Sequence, residues 1–542
     1  MSKNHQLNTL RAGTTLENKA AHQADHQRFG RRSFLRNLGL VGTAGFMLNK
    51  LPVSAMGANS LTNLLSTANS DRILVLIRLK GGNDGLNMII PVYDFGTYQS
   101  VRPDIYIPQE EAWSISGSLS VSNQMSALQP LWNDGHMKVI NNVGYPDQNL
   151  SHFRSSDIWA SSSNSDELIS SGWLGRLIEQ ENPDFLVNPP AEPPAIQIGG
   201  VSNLVFNNSD NFNYALSTAN PQQLYQIAQT GQLYDLENLP ECTYGDQLGY
   251  LRAVANTTFR YAEVLAEAYD EGQNSVQYVN DRLGDQLALI ARLIRGGLTT
   301  QLYMVELDGF DTHANQPMAH GYLMQSIAQN TAAFFEDLGV GGHEERVMAM
   351  TFSEFGRRVE QNGSMGTDHG ASAPVMVFGS GLNGNGILGG VPDLQNLDFA
   401  GNMFHTVDFR SIYATVMDYW LCLDSDMVDN LLGNDFERVE GMGLFCQTTS
   451  TTDPARAADI GLQAYISGGD LVVNYTLPAT GNVVLRTHDV IGRVVSAPYH
   501  GRQYLGENQI RLPLSTVNWT AGVYVVSLET GGKMYSKKVG LF

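Results

Sequence analysis

Residues Arg72 to Leu79 read RILVLIRL, a nearly continuous apolar run of strand length. It stops at Lys80-Gly81-Gly82-Asn83-Asp84-Gly85-Leu86-Asn87. A strand apolar on both faces belongs inside a parallel sheet that is covered on both sides. A glycine-rich turn at the carboxyl end of such a strand is where α/β proteins place ligands. The same pattern recurs along the chain. Met137 to Val143, Thr300 to Leu307, Arg346 to Phe352 and Ala373 to Gly379 read as strands. Leu248 to Ala268, Val276 to Arg295 and Met318 to Gly339 read as helices, the second stopped by Gly296-Gly297. Alternating strands and helices predict an α/β fold, a mostly parallel sheet sandwiched by helices.

Composition narrows the chemistry. With 42% hydrophobic residues in 542 the chain buries a large core, which excludes global disorder. A formal charge of −21 disfavours nucleic acid and anionic membranes and suits cation binding. Three cysteines, Cys242, Cys422 and Cys446, make no CxxC pair and are too few for a disulfide framework. Lysine is absent between Lys138 and Lys533, so no Schiff-base lysine lies there, and no GxxxxGK[ST] occurs.

The two ends differ from the middle. Gly30-Arg31-Arg32-Ser33-Phe34-Leu35-Arg36 precedes a short apolar run, Leu38 to Leu48, and small residues at Ser54 to Ala58. This order reads as an export signal, and the paired arginines resemble a twin-arginine signal; the alternative is an exposed basic loop before an ordinary helix. No later segment reaches the apolar length of a spanning helix, so no transmembrane segment is expected in the mature chain. Beyond Thr448 to Pro454, which reads as a linker, about five short alternating segments predict a small all-β sandwich. They begin at Leu471, Val483, Gln509, Val523 and Tyr535. Ala521 to Val526 and the ending Lys537-Lys538-Val539-Gly540-Leu541-Phe542 resemble the C-terminal sorting domain of type IX secretion, with a carbohydrate-binding or adhesive sandwich as the alternative. The expected organisation is an address at 1–58, an α/β domain at 70–447, a linker at 448–460 and the sandwich at 461–542. The destination implied is the periplasm and then the cell surface or the exterior, with the export and secretion machinery as partners.

Asp and His cluster beside the predicted strands: Asn83-Asp84, Asp311-Thr312-His313 and Asp368-His369. Carboxylate with imidazole suits zinc; carboxylate alone suits magnesium or manganese. Each pair by itself is equally a turn aspartate or a core histidine. Ser151 precedes a helical stretch, His152 to Trp159, in which Phe153, Ile158 and Trp159 supply apolar contacts. It is either a simple N-cap or a nucleophile at a helix N-terminus. Arg154 either clamps an oxyanion or pairs with Asp157.

LVLIRLKGGNDGLNMIIP, SHFRSSDIW, DGFDTHANQ, MTFSEFGRRVEQNGSMGTDHGASAPVMVFG and VDFRSIYATVMDYWL together resemble the bacterial domain-of-unknown-function 1501 family, from about Arg72 to Leu421. That family is grouped with the alkaline phosphatase and sulfatase superfamily. The resemblance implies an alkaline phosphatase-like fold and hydrolysis of a small anionic phosphate or sulfate ester with one or two divalent cations. Zinc is the first choice of metal, with manganese, magnesium or calcium as alternatives. It implies Asp84, Asp368 and His369 at one metal, and Asp311 with His313 at a second, Asp308 being a substitute. The superfamily separates that second Asp and His by three residues, whereas one stands between them here. His405 corresponds to a late histidine ligand and Ser151 to the nucleophile. Arg357 or Arg154 would grip nonbridging oxygens, and Glu354 would either orient a ligand or serve structure alone. No CxPxR signature is present, which argues against a formylglycine sulfatase. The second reading is a cell-surface binding protein on a degenerate hydrolase scaffold.

Overall fold

The computed structural model describes residues 71–446 apart from gaps at 183–184, 186–188, 200–202, 210–211, 219–232, 236–238 and 240–242, most of 462–541, and the paired segments Gly45–Leu48 and Leu51–Ser54. The twin-arginine segment, Cys242 and the linker Thr448 to Pro454 lie outside the described residues. Residues Asp71–Cys446 belong to one compact unit and the C-terminal strands to another.

In the larger unit the chain order is β1 (Ile73–Lys80), β2 (Met137–Gly144), α1 (His152–Ser161), β3 (Ala195–Ile198), β4 (Ala215–Thr218), α2 (Thr243–Glu271), α3 (Arg282–Arg295), β5 (Leu302–Asp308), α4 (Gln316–Val340), β6 (Val347–Phe352), β7 (Gly356–Gln361), β8 (Thr367–Gly370), β9 (Ala373–Phe378), β10 (Gly386–Leu388) and β11 (Val407–Asp408). Nine strands make one sheet in the order β10-β2-β9-β6-β1-β5-β3-β4, with β11 beside β2. All neighbours are parallel except β9, which runs antiparallel to both β6 and β2. The expected mostly parallel sheet with helices is therefore present. The apolar run of β1 lies at its centre, with Ile73, Val75 and Ile77 fully buried. The helix expected from Val276 begins later, because the Asp281 carboxylate accepts the Gly284 N–H and caps α3.

Register sets up the site. β1, β5 and β6 are parallel and in step, Lys80 lying opposite Asp308 and Arg78 opposite Phe352. The loops at 81–84, 309–313 and 353–355 therefore leave the sheet side by side. Gly81 and Gly82 have φ of 125° and 83°. A Cβ on Gly81 would lie 2.3 Å from the Asp311 nitrogen, and one on Gly82 2.4 Å from the Phe355 ring, so only glycine lets these loops close on each other. The antiparallel hairpin of β7 and β8 then sets Arg357 opposite His369.

The smaller unit has two antiparallel sheets, one of three strands and one of four. Leu471, Val473, Val483, Leu485, Val526 and Leu528, drawn from both sheets, share one apolar cluster, which is the packing of a sandwich. Among the described residues it has seven strands rather than about five, because Gln463–Ser467 and Tyr499–Gln503 add edge strands too polar to read from sequence.

Cys422 and Cys446 are joined in a disulfide, their Cα atoms 5.1 Å apart. The cysteine count concealed this single staple. The bond closes a loop of 24 residues around α-helical and irregular chain. Closing a loop of that size stabilises by roughly 3 kcal/mol. A C422S/C446S variant is expected to lose about that much unfolding free energy in denaturant titration, and an unchanged midpoint would refute the contribution.

Candidate metal centre

The helix α1 is held at the carboxyl edge of the sheet by its apolar residues. Trp159 stacks on Phe409 at 4.4 Å and on Phe352, the last residue of β6, at 6.0 Å. The Ser155 hydroxyl hydrogen-bonds the Tyr145 hydroxyl at 2.8 Å and donates to the Glu354 carbonyl. Phe153, expected to pack, is instead 87% exposed. This anchoring brings His152, the first residue of the helix, into the loops beyond β5 and β6.

There four side chains meet. Asp311 Oδ1 lies 3.5 Å from His152 Nε2, 3.2 Å from His313 Nε2 and 3.3 Å from His369 Nε2. The Nε2 atoms of His313 and His369 are 3.0 Å apart. Among the described residues, His152, Asp311 and His369 alone meet the spacing expected of a metal-binding group, and His313 adjoins two of them. Each imidazole is fixed from behind. His369 Nδ1 donates to the Leu150 carbonyl at 2.9 Å, His152 Nδ1 to Glu354 Oε1 at 2.9 Å and His313 Nδ1 to Asp368 Oδ1 at 3.2 Å. A proton held at Nδ1 leaves the lone pair on Nε2, facing the centre. The Phe355 ring supports two of the imidazoles, at 4.9 Å from His152 and 4.4 Å from His369.

Four electron-pair donors pointed at one another repel unless a cation or proton lies between them. A tetrahedral ion with zinc–nitrogen bonds of about 2.0–2.1 Å would set its ligands about 3.3 Å apart. The separations of 3.0–3.5 Å around Asp311 and between His313 and His369 fit that size. Three histidines and a carboxylate suit zinc better than magnesium or calcium, which prefer oxygen. About half of the Asp311 and His313 side-chain surface remains exposed, so the cluster opens to solvent.

Electrostatics follow from the same contacts. Burial pushes the Asp311 carboxyl up, but the Arg357 guanidinium and the imidazoles outweigh it and hold it below the usual range. The Glu354 hydrogen bond raises the His152 pKa, whereas burial lowers that of His369. The Asn362 amide and His313 lower that of Asp368 against slight burial.

The residues read from sequence divide. Asp311, His313 and His369 come together, in one centre rather than two. Asp368 stands behind His313 instead of beside His369. Asp84 does not join. It is fully buried, its Oδ2 is 2.6 Å from the equally buried Arg102, Gln316 donates to it, and its Oδ1 caps the short helix Gly85–Met88. Asp308 pairs with Lys80 at 2.8 Å. His405 packs beside Gly144 and outside the cluster, where burial lowers its pKa. Arg357 is buried and fully engaged: its N–H groups donate to the carbonyls of Gly81, Gly82, Phe310 and Thr367 and to Asp311. Each of its three nitrogens is already bonded, and at 1% exposure it is not presented to a substrate. Arg154 donates to the carbonyls of Asn164, Ser165 and Glu167, not to Asp157. Glu354 orients His152 and also accepts the Gly81 N–H at 2.9 Å. Ser151 is exposed at the start of α1 and makes no side-chain cap bond. Sequence reasoning missed His152, although it stands between Ser151 and Phe153 at a helix start, where its backbone neighbours already drew attention.

The family model described as "Protein of unknown function (DUF1501)" matches residues 139–441, more than half of the chain. No curated protein matches. Among solved structures, the chain is similar to an alkaline phosphatase superfamily protein from Vibrio parahaemolyticus, at 8% identity over 90% of this chain and 85% of that one, TM-score 0.28. It is similar to the PsFucS1 sulfatase from Pseudoalteromonas sp., at 11% identity over 92% and 88%, TM-score 0.31. A third is the alkaline phosphatase from the Antarctic bacterium TAB5, at 10% identity over 59% and 95%, TM-score 0.25. Likeness this distant carries no chemistry, which rests on the side chains above.

Two substitutions separate ligands from scaffold. His369→Ala is expected to abolish stoichiometric zinc, measured by elemental analysis, while the protein stays folded. Asp84→Ala strands a buried guanidinium and should cost about 3–5 kcal/mol, with zinc retained in the folded fraction. Zinc loss in a folded Asp84 variant would return that residue to the centre. Glu354→Ala, which frees the His152 ring, is expected to weaken zinc binding roughly 10–100-fold.

Proposed function

The chain belongs to the DUF1501 family, and from that premise we propose that it is an exported, metal-dependent hydrolase of a phosphate or sulfate ester. The observation that carries this reading is the convergence of three oriented imidazoles on Asp311 at an edge open to solvent. His152, Asp311 and His369 would hold one zinc ion, with His313 beside Asp311 and His369. Bound there, zinc would supply Lewis acidity toward an ester oxygen and lower the pKa of a hydroxyl or water.

The chain's own residues do the rest. Leu150, Glu354 and Asp368 hold the imidazole protons at Nδ1. Arg357 fixes Asp311 and keeps it ionised. Ser151 lies between Leu150, which grips His369, and His152 itself, and its hydroxyl is free of the capping bond. In the proposed reaction Ser151 Oγ forms a bond to phosphorus or sulfur as the ester bond to the leaving oxygen breaks. The serine proton is released and the leaving oxygen takes one up. Water then cleaves the serine ester and restores the hydroxyl. The N–H groups at the start of α1 favour the anionic substrate.

Export is supported by the disulfide, since such bonds persist in oxidising compartments. No helix among the described residues is long and apolar enough to cross a membrane. The twin-arginine segment and the C-terminal sandwich would serve as addresses for export and for secretion to the surface.

One observation favours the second reading, a binding protein on this scaffold. Arg357 and Arg154, the arginines expected to clamp an anion, are both bound to backbone carbonyls. Zinc-loaded protein is expected to turn over 4-nitrophenyl phosphate or 4-nitrophenyl sulfate, with activity lost on chelation and in His369→Ala, and reduced at least 100-fold in Ser151→Ala. Stoichiometric zinc without turnover of either ester would favour the binding reading.

A further inference from the structure

A cavity of about 390 Å³ shares no lining residue with the metal centre. Its wall includes one face of α4, where His320 and Gly321 lie, and the segment around Asp104. Its size falls in the range of small-molecule sites.

Three features define what it would accept. His320 is 1% exposed and its Nε2 is 3.0 Å from Asn83 Oδ1. The Asn83 amide nitrogen faces the Met88 sulfur, so Asn83 Oδ1 is an acceptor and the imidazole proton sits on Nε2. Nδ1 then carries a lone pair, and it has no hydrogen-bond partner in the protein. Burial lowers the His320 pKa to about 4, so the ring stays neutral at pH 7. A buried acceptor without a donor costs free energy unless a ligand or water supplies one. Second, Asp104 and Glu111 line the cavity and both are exposed carboxylates. Asp104 accepts a hydrogen bond from the neutral Gln361 amide at 2.6 Å, which leaves its charge uncompensated by that contact. Third, no lysine or arginine lines the cavity. The Tyr106 ring adds an aromatic wall that tolerates a cation.

We propose that this cavity is a binding site for a small organic cation, whose ammonium N–H donates to His320 Nδ1 while its charge faces Asp104 and Glu111. The site stands apart from ester hydrolysis and does not depend on it. It does adjoin the same framework. Pro317 lines the cavity, and its neighbour Gln316 bonds Asp84, Thr312 and Thr367.

The test uses the full chain and 1,4-diaminobutane in isothermal titration calorimetry, with neutral 1,4-butanediol as control. Saturable binding of the diamine is expected, with none of the diol. Glu111→Gln, an exposed and conservative change, should weaken diamine binding at least tenfold. Gly321→Leu blocks the cavity from its wall. A Cβ there meets only the Gln124 side chain, at 3.9 Å, and leucine is the better helix former, so the fold should hold. Diamine binding should vanish in that variant with an unfolding midpoint no lower than that of the parent. Absence of saturable binding, equal binding of the diol, or undiminished binding by folded Gly321→Leu would each overturn the proposal; the first would mean that the cavity holds water alone.

Discussion

The buried guanidinium of Arg357 is the contact on which the site depends. A planar fork with five donors can bind several acceptors at once, and here it binds carbonyls from the loops after β1 and β5 and from β8, together with Asp311. Those three stretches are far apart in sequence. Each would otherwise leave buried carbonyls without donors, which is costly in a low-dielectric interior. One cation thus satisfies several acceptors and fixes the carboxylate that faces the imidazoles. The role expected for Arg357, gripping a substrate, is incompatible with this burial and with its bonds to the backbone.

A second buried cation, Arg102, does similar work one layer away. It pairs with Asp84 and donates to Asn87 and to the carbonyls of Arg358 and Val359. Two acidic residues of similar appearance thereby part company. Asp84 is neutralised within the core, its pKa held down by Arg102 against the opposing effect of burial. Asp311 shares its oxygen with Arg357 yet still faces three nitrogen lone pairs and solvent. The difference between a structural carboxylate and a metal ligand lies in that remaining unsatisfied field.

Much of the scaffold was legible. The apolar runs at Arg72, Met137, Thr300, Arg346 and Ala373 became the strands that carry the site, because a doubly buried strand must be apolar along its whole length. The short strands Ala195–Ile198, Gly386–Leu388 and Val407–Asp408 were not legible, since they are only four, three and two residues long and draw their order from neighbours. Asp311, His313 and His369 were legible as chemistry, but their gathering in one centre rather than two was not. His152 escaped notice because its neighbours Ser151 and Arg154 matched expected roles more closely.

By itself, the sequence determined which residues could form strands and helices, where the chain would turn, and that aspartate and histidine would gather at strand ends. These are local properties, set by side-chain periodicity and by glycine. Tertiary structure alone decided which side chains meet, which way each imidazole faces and which arginine is already engaged. Those outcomes depend on distances between loops separated by up to hundreds of residues, and on proton positions set by acceptors such as the Leu150 carbonyl, for which a linear pattern carries no signal.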